Sequence, residues 1–515
     1  MDNGNGRFFQ WGPRESAVLP LTLTLEGAMT MDQHPEVGTS WPTTWVLFLP
    51  ERNRREGRLR GTWLSGLSEL VQVGEQCFRR ISEVGVARFF EHVKLATCSL
   101  DETLARIPRG GVDCMADDHL ADLYEEFRGA YVKWWRPNYV IEPLEYFAEA
   151  RARDVFGDAR ALSCITKVPE RTMEIEVKDS LEAIVGKALD DLRATTALLE
   201  RDVAAFIEFA QTNQDLATLI DKFRCDYFWI RNNYYRSGSL TFGEACAVVL
   251  DHCELLRKGG SEHLEGHLEG RLREYARRKV QQSARHDNDA TILIELWDRM
   301  AEFKDDRKRT NLLANHHLEI LLRETARRRH VALSDVRNLL PREVAGFMRG
   351  KPVPMLLDRR RGMVALWKAG EDNLQCLYEP DLAALAFGGI GAHLEKAAAR
   401  SEPGRIIMGT GNGYGAIEGV AYVCETYHDA LRIPPGGNSI LITYMTSPEW
   451  LGIMSRVQGI ATVEGGQASH AYLSCSQMKK PLIIHAEGAV DPALQGATVR
   501  LDSNSGTLQV LQAAK

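Results

Sequence analysis

Several classes of function are removed by what this 515-residue sequence lacks. No apolar run approaches the length of a membrane span, and the N-terminus lacks the basic-then-apolar pattern of a signal peptide. A cytoplasmic protein with no membrane partner is expected. The ten cysteines stand far apart, with no C-x-x-C pair and no His/Cys spacing suited to a metal. That distribution fits reduced thiols rather than a disulfide frame or a zinc site, so no metal is expected in this chain. An excess of positive charge is missing too. The net charge is −7, and the basic clusters at 52–60 and 323–330 are short and mixed with acids, so no nucleic-acid partner is expected. Finally, no G-x-x-x-x-G-K-[ST] loop occurs to cradle the phosphates of a nucleotide.

What is present is a soluble composition, 44% hydrophobic and 26% charged, over a length that calls for about two or three domains. The first hundred residues read as irregular, with Pro, Gly and Trp scattered among short apolar stretches. From about 116 to 350 the period is helical: "SLEAIVGKALDDLRATTALLERDVAAFIEFA" (180–210) and "TNLLANHHLEILLRETARRRH" (310–330) repeat apolar positions at three- and four-residue steps. After about residue 400 the period changes. "GAIEGVAYV", "SILITYM", "GIATVE", "PLIIHAE", "TVRLD" and "GTLQVL" are short β-rich runs separated by Gly, Pro, Asn and Asp. The stretch "KAAARSEPGR" (396–405) is the best linker, and the third part of the chain comes after it. The expected layout is multidomain. A large, mostly α-helical body, irregular over 1–115 and helical over 116–395, precedes a compact C-terminal α/β domain over 405–515.

Two glycine-containing stretches compete for attention in that last part. "GTGNGYG" (409–415) invites a nucleotide reading, but the next segment, "AIEGVAYV", reads as strand and not as the helix whose N-terminus would meet a pyrophosphate. The glycines are read as a bend entering a strand. "VEGGQASHAYLSC" (463–475) is different. Gly465 and Gly466 turn the backbone directly after a strand, and Ser469 and His470 fall where a helix would begin. Free N–H groups and the helix dipole there stabilise a phosphate carried on the histidine ring. The competing reading is a structural histidine at the start of an apolar segment, and it has the higher general frequency.

The stretch 446–484 resembles the phosphohistidine domain of the phosphoenolpyruvate-utilising enzyme family. Thr446 and Pro448, Gly465 and Gly466, Ser469, His470, Ala471 and Pro481 match the family pattern in order and spacing, and the likeness extends over about 405–512. Where the family often has Thr two residues before the histidine this chain has Ala468, and where it usually has Arg near the end of the next helix this chain has Ser476. The helical region 307–350 resembles rifampin phosphotransferase-like members more loosely.

The resemblance implies a swivelling C-terminal domain whose His470 carries a phosphoryl group, with Gly465, Gly466, Ser469 and Thr446 shaping its loop. It implies a phosphotransferase that relays this group to a small hydroxylated or aromatic acceptor in the helical body. No cofactor is expected on this chain. ATP and Mg2+ are expected at a separate ATP-grasp-like protein, as in the split layout of phenylphosphate synthase, and the domain is expected to hinge within 396–405. The alternative is a non-catalytic binding or scaffold protein that keeps the fold. Acceptor-binding candidates rest on chemistry alone. Asp226, Arg231, Asn232 and Asn233 cluster with Tyr227, Phe228, Trp229, Tyr234 and Tyr235, offering a base, an oxyanion clamp and an apolar wall. The same cluster also reads as an amphipathic segment with aromatics in the core. The pair His316 and His317 is a further candidate on the same grounds, with a similar competing reading as helix-surface residues.

Overall fold

The computed structural model describes residues 8–513 apart from 16, 35–36, 51–58, 109–110, 157–172, 231, 233–237, 259–287, 355, 370, 372–373, 379–402, 426, 435–436, 447–449, 467–468 and 487. The first hundred residues depart from the irregular stretch expected of them. Strand β1 (Phe8–Glu15), helix α1 (Val18–Met29), strands β2 (Thr44–Pro50) and β3 (Leu59–Gly66) and helices α2 (Leu67–Val84) and α3 (Val86–Leu104) fill them. The physical reason is distance along the chain. Strand β2 is paired on its far side with β4 (Met363–Trp367), Val46 opposite Ala365, and β5 (Gln375–Tyr378) completes a five-stranded antiparallel sheet in the order β1-β3-β2-β4-β5. A strand whose partner lies some three hundred residues away leaves little local signature.

The body continues through α4 (Asp117–Asn138), α5 (Ile141–Phe156), α6 (Met173–Ala188), α7 (Leu192–Glu200), α8 (Val203–Thr212), α9 (Gln214–Asp226) and α10 (Phe242–Lys258). Asp191, Asp202 and Asn213 each cap the next helix with a side-chain oxygen, accepting from Arg193 N, Ala205 N and Leu216 N. These helices pack around two cores. One gathers α1 to α5 with residues such as Trp134, Trp297 and Leu321. The other gathers α6 to α10 around Phe206, Ile220, Trp229 and Val249. A 42-residue helix, α11 (Asn288–Arg329), serves both: Trp297 and Leu318 lie in the first core and Leu312 in the second. Two short helices, α12 (Leu333–Val336) and α13 (Pro341–Met348), close the body, and buried Arg359 donates to both oxygens of Glu343 at 2.7 Å.

All six runs read as strands after residue 400 form strands. An eight-stranded sheet runs in the order β6-β13-β12-β8-β9-β10-β11-β7. Its members are β6 (Ile406–Met408), β7 (Thr410–Gly411), β8 (Ala416–Val423), β9 (Ser439–Thr443), β10 (Gly459–Thr462), β11 (Leu482–Ile484), β12 (Thr498–Asp502) and β13 (Thr507–Gln512). The four central strands β8, β9, β10 and β11 are parallel, and β9, β10 and β11 are buried on both faces, as a parallel sheet requires. Alternate residues feed opposite cores: Ile440 and Ile442 point to one, Leu441 to the other. The second core is closed by α14 (Tyr427–Ala430), α15 (Leu451–Arg456) and α16 (His470–Gln477). The segment "GTGNGYG" bends through β7 into β8, and a side chain at Gly411 would collide with the backbone of Ser503. Close backbone approach accounts for this glycine without a phosphate.

Among the described residues no helix is long and apolar enough to cross a membrane, and the cysteines are free thiols. The greater part of the 396–405 linker lies outside the described residues.

Candidate functional site

His470 is the first residue of α16, in the crossover between the parallel strands β10 and β11. It therefore stands at the carboxyl end of the central strands, where open parallel sheets present their sites. The turn before it is shaped by Gly465, whose φ of 111° is a conformation that a side chain would strain. Ser469 caps the helix: its Oγ accepts from Tyr472 N at 3.3 Å while its own N–H donates to Gly466 O at 2.9 Å. Thr446, buried at the start of the segment leading to α15, holds its Oγ1 2.7 Å from Nδ1 of His470. The other ring nitrogen, Nε2, is buried. Thr446, Gly465, Gly466, Ser469 and His470 are thus brought together in one loop-and-helix junction. Pro448 and Ala468 lie outside the described residues.

Lys480 fixes the neighbouring element. Its Nζ donates to the carbonyls of Met454 at 2.8 Å and Val457 at 2.5 Å, and also to that of Ser455, so a half-buried ammonium ties the C-terminal end of α15 to the segment that follows α16. Ser476, where the resemblance leads one to look for arginine, is buried.

The loop carrying His470 lies against the helical body. A side chain on Gly466 would overlap Oε1 and Cδ of Glu145, a residue of α5, and lie 3.0 Å from its Cγ, so only glycine permits this approach. Glu145 is buried at 6% exposure and its Oε2 is paired with Nζ of Lys304 on α11. One turn away Arg307 forks Glu142 at 2.6 and 3.0 Å. From the C-terminal domain His485 reaches the same place, its ring 6.0 Å from that of Tyr146, and its φ of 56° marks the sharp exit from β11. Burial pushes the His485 imidazole below its ordinary value of 6.5, with Glu145 pulling it up and Lys304 pulling it down. A second contact forms where α15 meets α10: Gly452 faces Asp251, which is bonded to Arg201 at 2.7 Å.

The acceptor candidates drawn from chemistry alone do not share that surface in any described contact. Tyr227, Phe228 and Trp229 are buried in the second helical core, which favours the amphipathic-segment reading for them. Asp226 is exposed at the end of α9, and Asn232 uses its Oδ1 to accept from Gly238 N at 2.9 Å, closing a turn. Arg231, Asn233, Tyr234 and Tyr235 lie outside the described residues. His316 and His317, read as helix-surface residues, are buried. His316 meets Phe228 edge-on at 4.7 Å, and Nδ1 of His317 donates to Leu313 O at 2.9 Å. The reason is that α11 is enclosed on two sides, so it has little outer face at this level. A cavity of about 310 Å³ opens beside His317, over Leu104, Ile107 and Leu313. His317 lies roughly 20 Å along α11 from Lys304, thirteen residues at 1.5 Å each. Among the described residues no group of three or more His, Cys, Asp or Glu is arranged to hold a metal ion.

Glu145 and Lys304 carry no signal in the sequence. They are separated by 159 positions, and neither stands in a motif. The only hint in the sequence was the second glycine of the pair, which a turn alone does not require.

Comparison with known proteins locates the likeness in the same part of the chain. Residues 435–506 match the family described as PEP-utilising enzyme, mobile domain. A probable phosphoenolpyruvate synthase of Methanothermobacter thermautotrophicus is 29% identical over 101 residues, 20% of this chain and 14% of that protein. Phosphoenolpyruvate synthase of Synechocystis is 30% identical over 102 residues, 19% of this chain and 12% of its own length. Pyruvate kinase 2 of Synechocystis is 30% identical over 100 residues, 19% of this chain and 17% of the kinase. Each match spans under a fifth of the relative concerned, and the matches fall in enzymes with different names. With its Gly-Gly turn, capped helix and histidine at the carboxyl end of a parallel sheet, the C-terminal part of this chain matches the mobile domain of the phosphoenolpyruvate-utilising enzyme family over residues 435–506.

Proposed function

We propose that the chain is the phosphohistidine-bearing component of a phosphotransferase. His470 takes a phosphoryl group from a donor and passes it to a small-molecule acceptor held by the helical body. The reading rests above all on the Thr446–His470 contact. When Nδ1–H donates to Thr446 Oγ1, the neutral ring keeps its lone pair on Nε2, the nitrogen that then attacks phosphorus. Ser469 and the first turn of α16 set N–H groups and the positive end of the helix dipole beside that nitrogen. Phosphoryl transfer asks mainly for positioning and charge neutralisation, and this junction supplies both.

The burial of Nε2 has a mechanistic use. A donor cannot reach a buried nitrogen, so charging requires the domain to lift away and delivery requires it to return. The face at Glu145, Tyr146 and Lys304 is the delivery position, and the acceptor is a hydroxylated or aromatic molecule bound there. The donor site is assigned to a separate ATP-grasp-like protein that holds ATP and Mg2+. The reaction is cytoplasmic.

Incubating the full chain with labelled ATP and cell extract tests the relay. Acid-labile label is expected on the wild type and absent from a folded His470→Ala variant. Label that persists on the variant, or a chain that never takes label, overturns the reading and leaves a binding protein that keeps the fold.

A further inference from the structure

We infer that Glu145 is the general base of the delivery step, and that the acceptor is therefore an uncharged hydroxyl compound and not a carboxylate or an inorganic anion. This rests on the relay proposed for His470. The starting observation is an asymmetry within one carboxylate. Oε2 of Glu145 is taken by Lys304, whereas Oε1 is buried with no hydrogen-bond partner. A buried carboxylate oxygen left without a donor is costly, and groups so placed call for an explanation. This one is directed at Gly466, in the loop that carries His470, at the closest approach that a glycine allows.

The surroundings fit the role. Lys304, at 15% side-chain exposure, holds the far oxygen and fixes the plane of the carboxylate. His485, which also reaches this junction beside Lys304 and Tyr146, is held toward its neutral form by burial and so does not compete as an ion-pair partner at neutral pH. The aromatic ring of Tyr146 closes the side toward His485. Without an acceptor the loop closes on Oε1. With one, its hydroxyl occupies the gap between Oε1 and the phosphohistidine, as catalytic hydrogen bonds commonly tighten only around substrate.

The step balances. The acceptor O–H gives its proton to Glu145 Oε1 as its oxygen bonds to phosphorus. The P–Nε2 bond breaks and its electron pair returns to Nε2 as the imidazole lone pair, while the Nδ1 proton stays on the ring against Thr446 Oγ1. No further reactant is needed. A carboxylate acceptor has no proton to surrender here, and an inorganic anion, even a protonated one such as hydrogenphosphate, would be repelled by the same carboxylate.

The test separates charging from delivery. The full chain is labelled with phosphoramidate, a chemical phosphoryl donor to imidazole, and loss of label is followed with water and with methanol as probe acceptors. Glu145→Gln keeps the size and the contact with the loop; it should charge like wild type and discharge about 100-fold more slowly, the lower end of what a general base contributes. Its rate should also lack the ionisation seen in the wild-type pH profile, and Glu145→Asp should recover part of the rate. Should Glu145→Gln fail to fold, judged by its melting curve, the Asp variant and the wild-type pH profile carry the test: a wild type that discharges no faster than free phosphohistidine overturns the inference. Discharge of Glu145→Gln at the wild-type rate overturns it as well, while leaving the relay intact. Failure of phosphoramidate to label His470 in the wild type is a different failure, at the first step, and removes the relay and this inference together.

Discussion

Replacing Gly466 by alanine adds one methyl group to the loop side of the dock and leaves the chemistry of both partners intact. Its φ is not in the left-handed region, so the backbone itself tolerates a side chain, and the only atoms the new Cβ would meet within 4 Å among its three nearest belong to Glu145. That Cβ overlaps the carboxylate and stands 3.0 Å from Cγ, whereas carbon atoms rest at about 3.5–4.0 Å. Either the loop retreats or Glu145 swings out and abandons Lys304. Overpacking of this kind costs about 1–3 kcal/mol, and stripping Lys304 of its partner in a part-buried site costs at least as much. The docked form should lose about 1–3 kcal/mol relative to the undocked one, a factor of roughly 5 to 160 in population. Amide exchange of 141–148 in α5 and of 465–472 reads that population directly, since docking covers both. Faster exchange is expected at both places in Gly466→Ala, with the melting of the C-terminal domain unchanged. Adding Glu145→Ala should restore part of the protection, a coupling that a double-mutant cycle isolates. Wild-type exchange in Gly466→Ala, or a double variant no better than the single one, would refute the reasoning.

Thr446→Val removes the partner of His470 Nδ1 and should slow charging by roughly 3- to 10-fold, the value of one hydrogen bond, with Thr446→Ser restoring most of it; labelling rates check this. The dock should also loosen in acid. His485 has a lowered pKa where it is buried beside Glu145, Lys304 and Tyr146, and the ordinary value of 6.5 where it is solvated. Its contribution is therefore complete above the ordinary value and is lost as pH falls through 6.5 toward the lowered one. Protection at 141–148, with the intrinsic exchange rate divided out, should fall as pH drops from about 7.5 to 5.5, and His485→Gln should flatten that dependence.

The legible and illegible parts of this molecule divide by how far apart the interacting residues lie in the chain. The strands β8 to β13 announce themselves through short β-branched runs between Gly, Pro and Asn, and the Ser469 cap through its place after a glycine pair, because turn and cap chemistry is settled within a few residues. Strand β2 carries the run "TWVLFLP", yet its pairing with β4 depends on residues beyond three hundred positions away. The dock is illegible for the same reason. Nothing near Glu145 or Lys304 indicates that they meet each other, or that Gly466 arrives against them. The aromatic cluster at 227–229 misleads in the opposite direction, because a rich local chemistry there fills a core.

Helix α11 also sets a mechanical limit on the body. Its 42 residues form a rod of roughly 60 Å, and it is clamped by one core near Trp297, by the other at Leu312 and by the first again at Leu321. The salt-bridged Lys304 and the His317 cavity are thus mounted on a single beam at a fixed interval. Bringing them closer would require bending the beam, and bending it would open two cores at once. Any ligand that distorted the cavity would then be felt at Lys304 as a tilt rather than a translation, and the two helical cores should lose their structure as one cooperative unit.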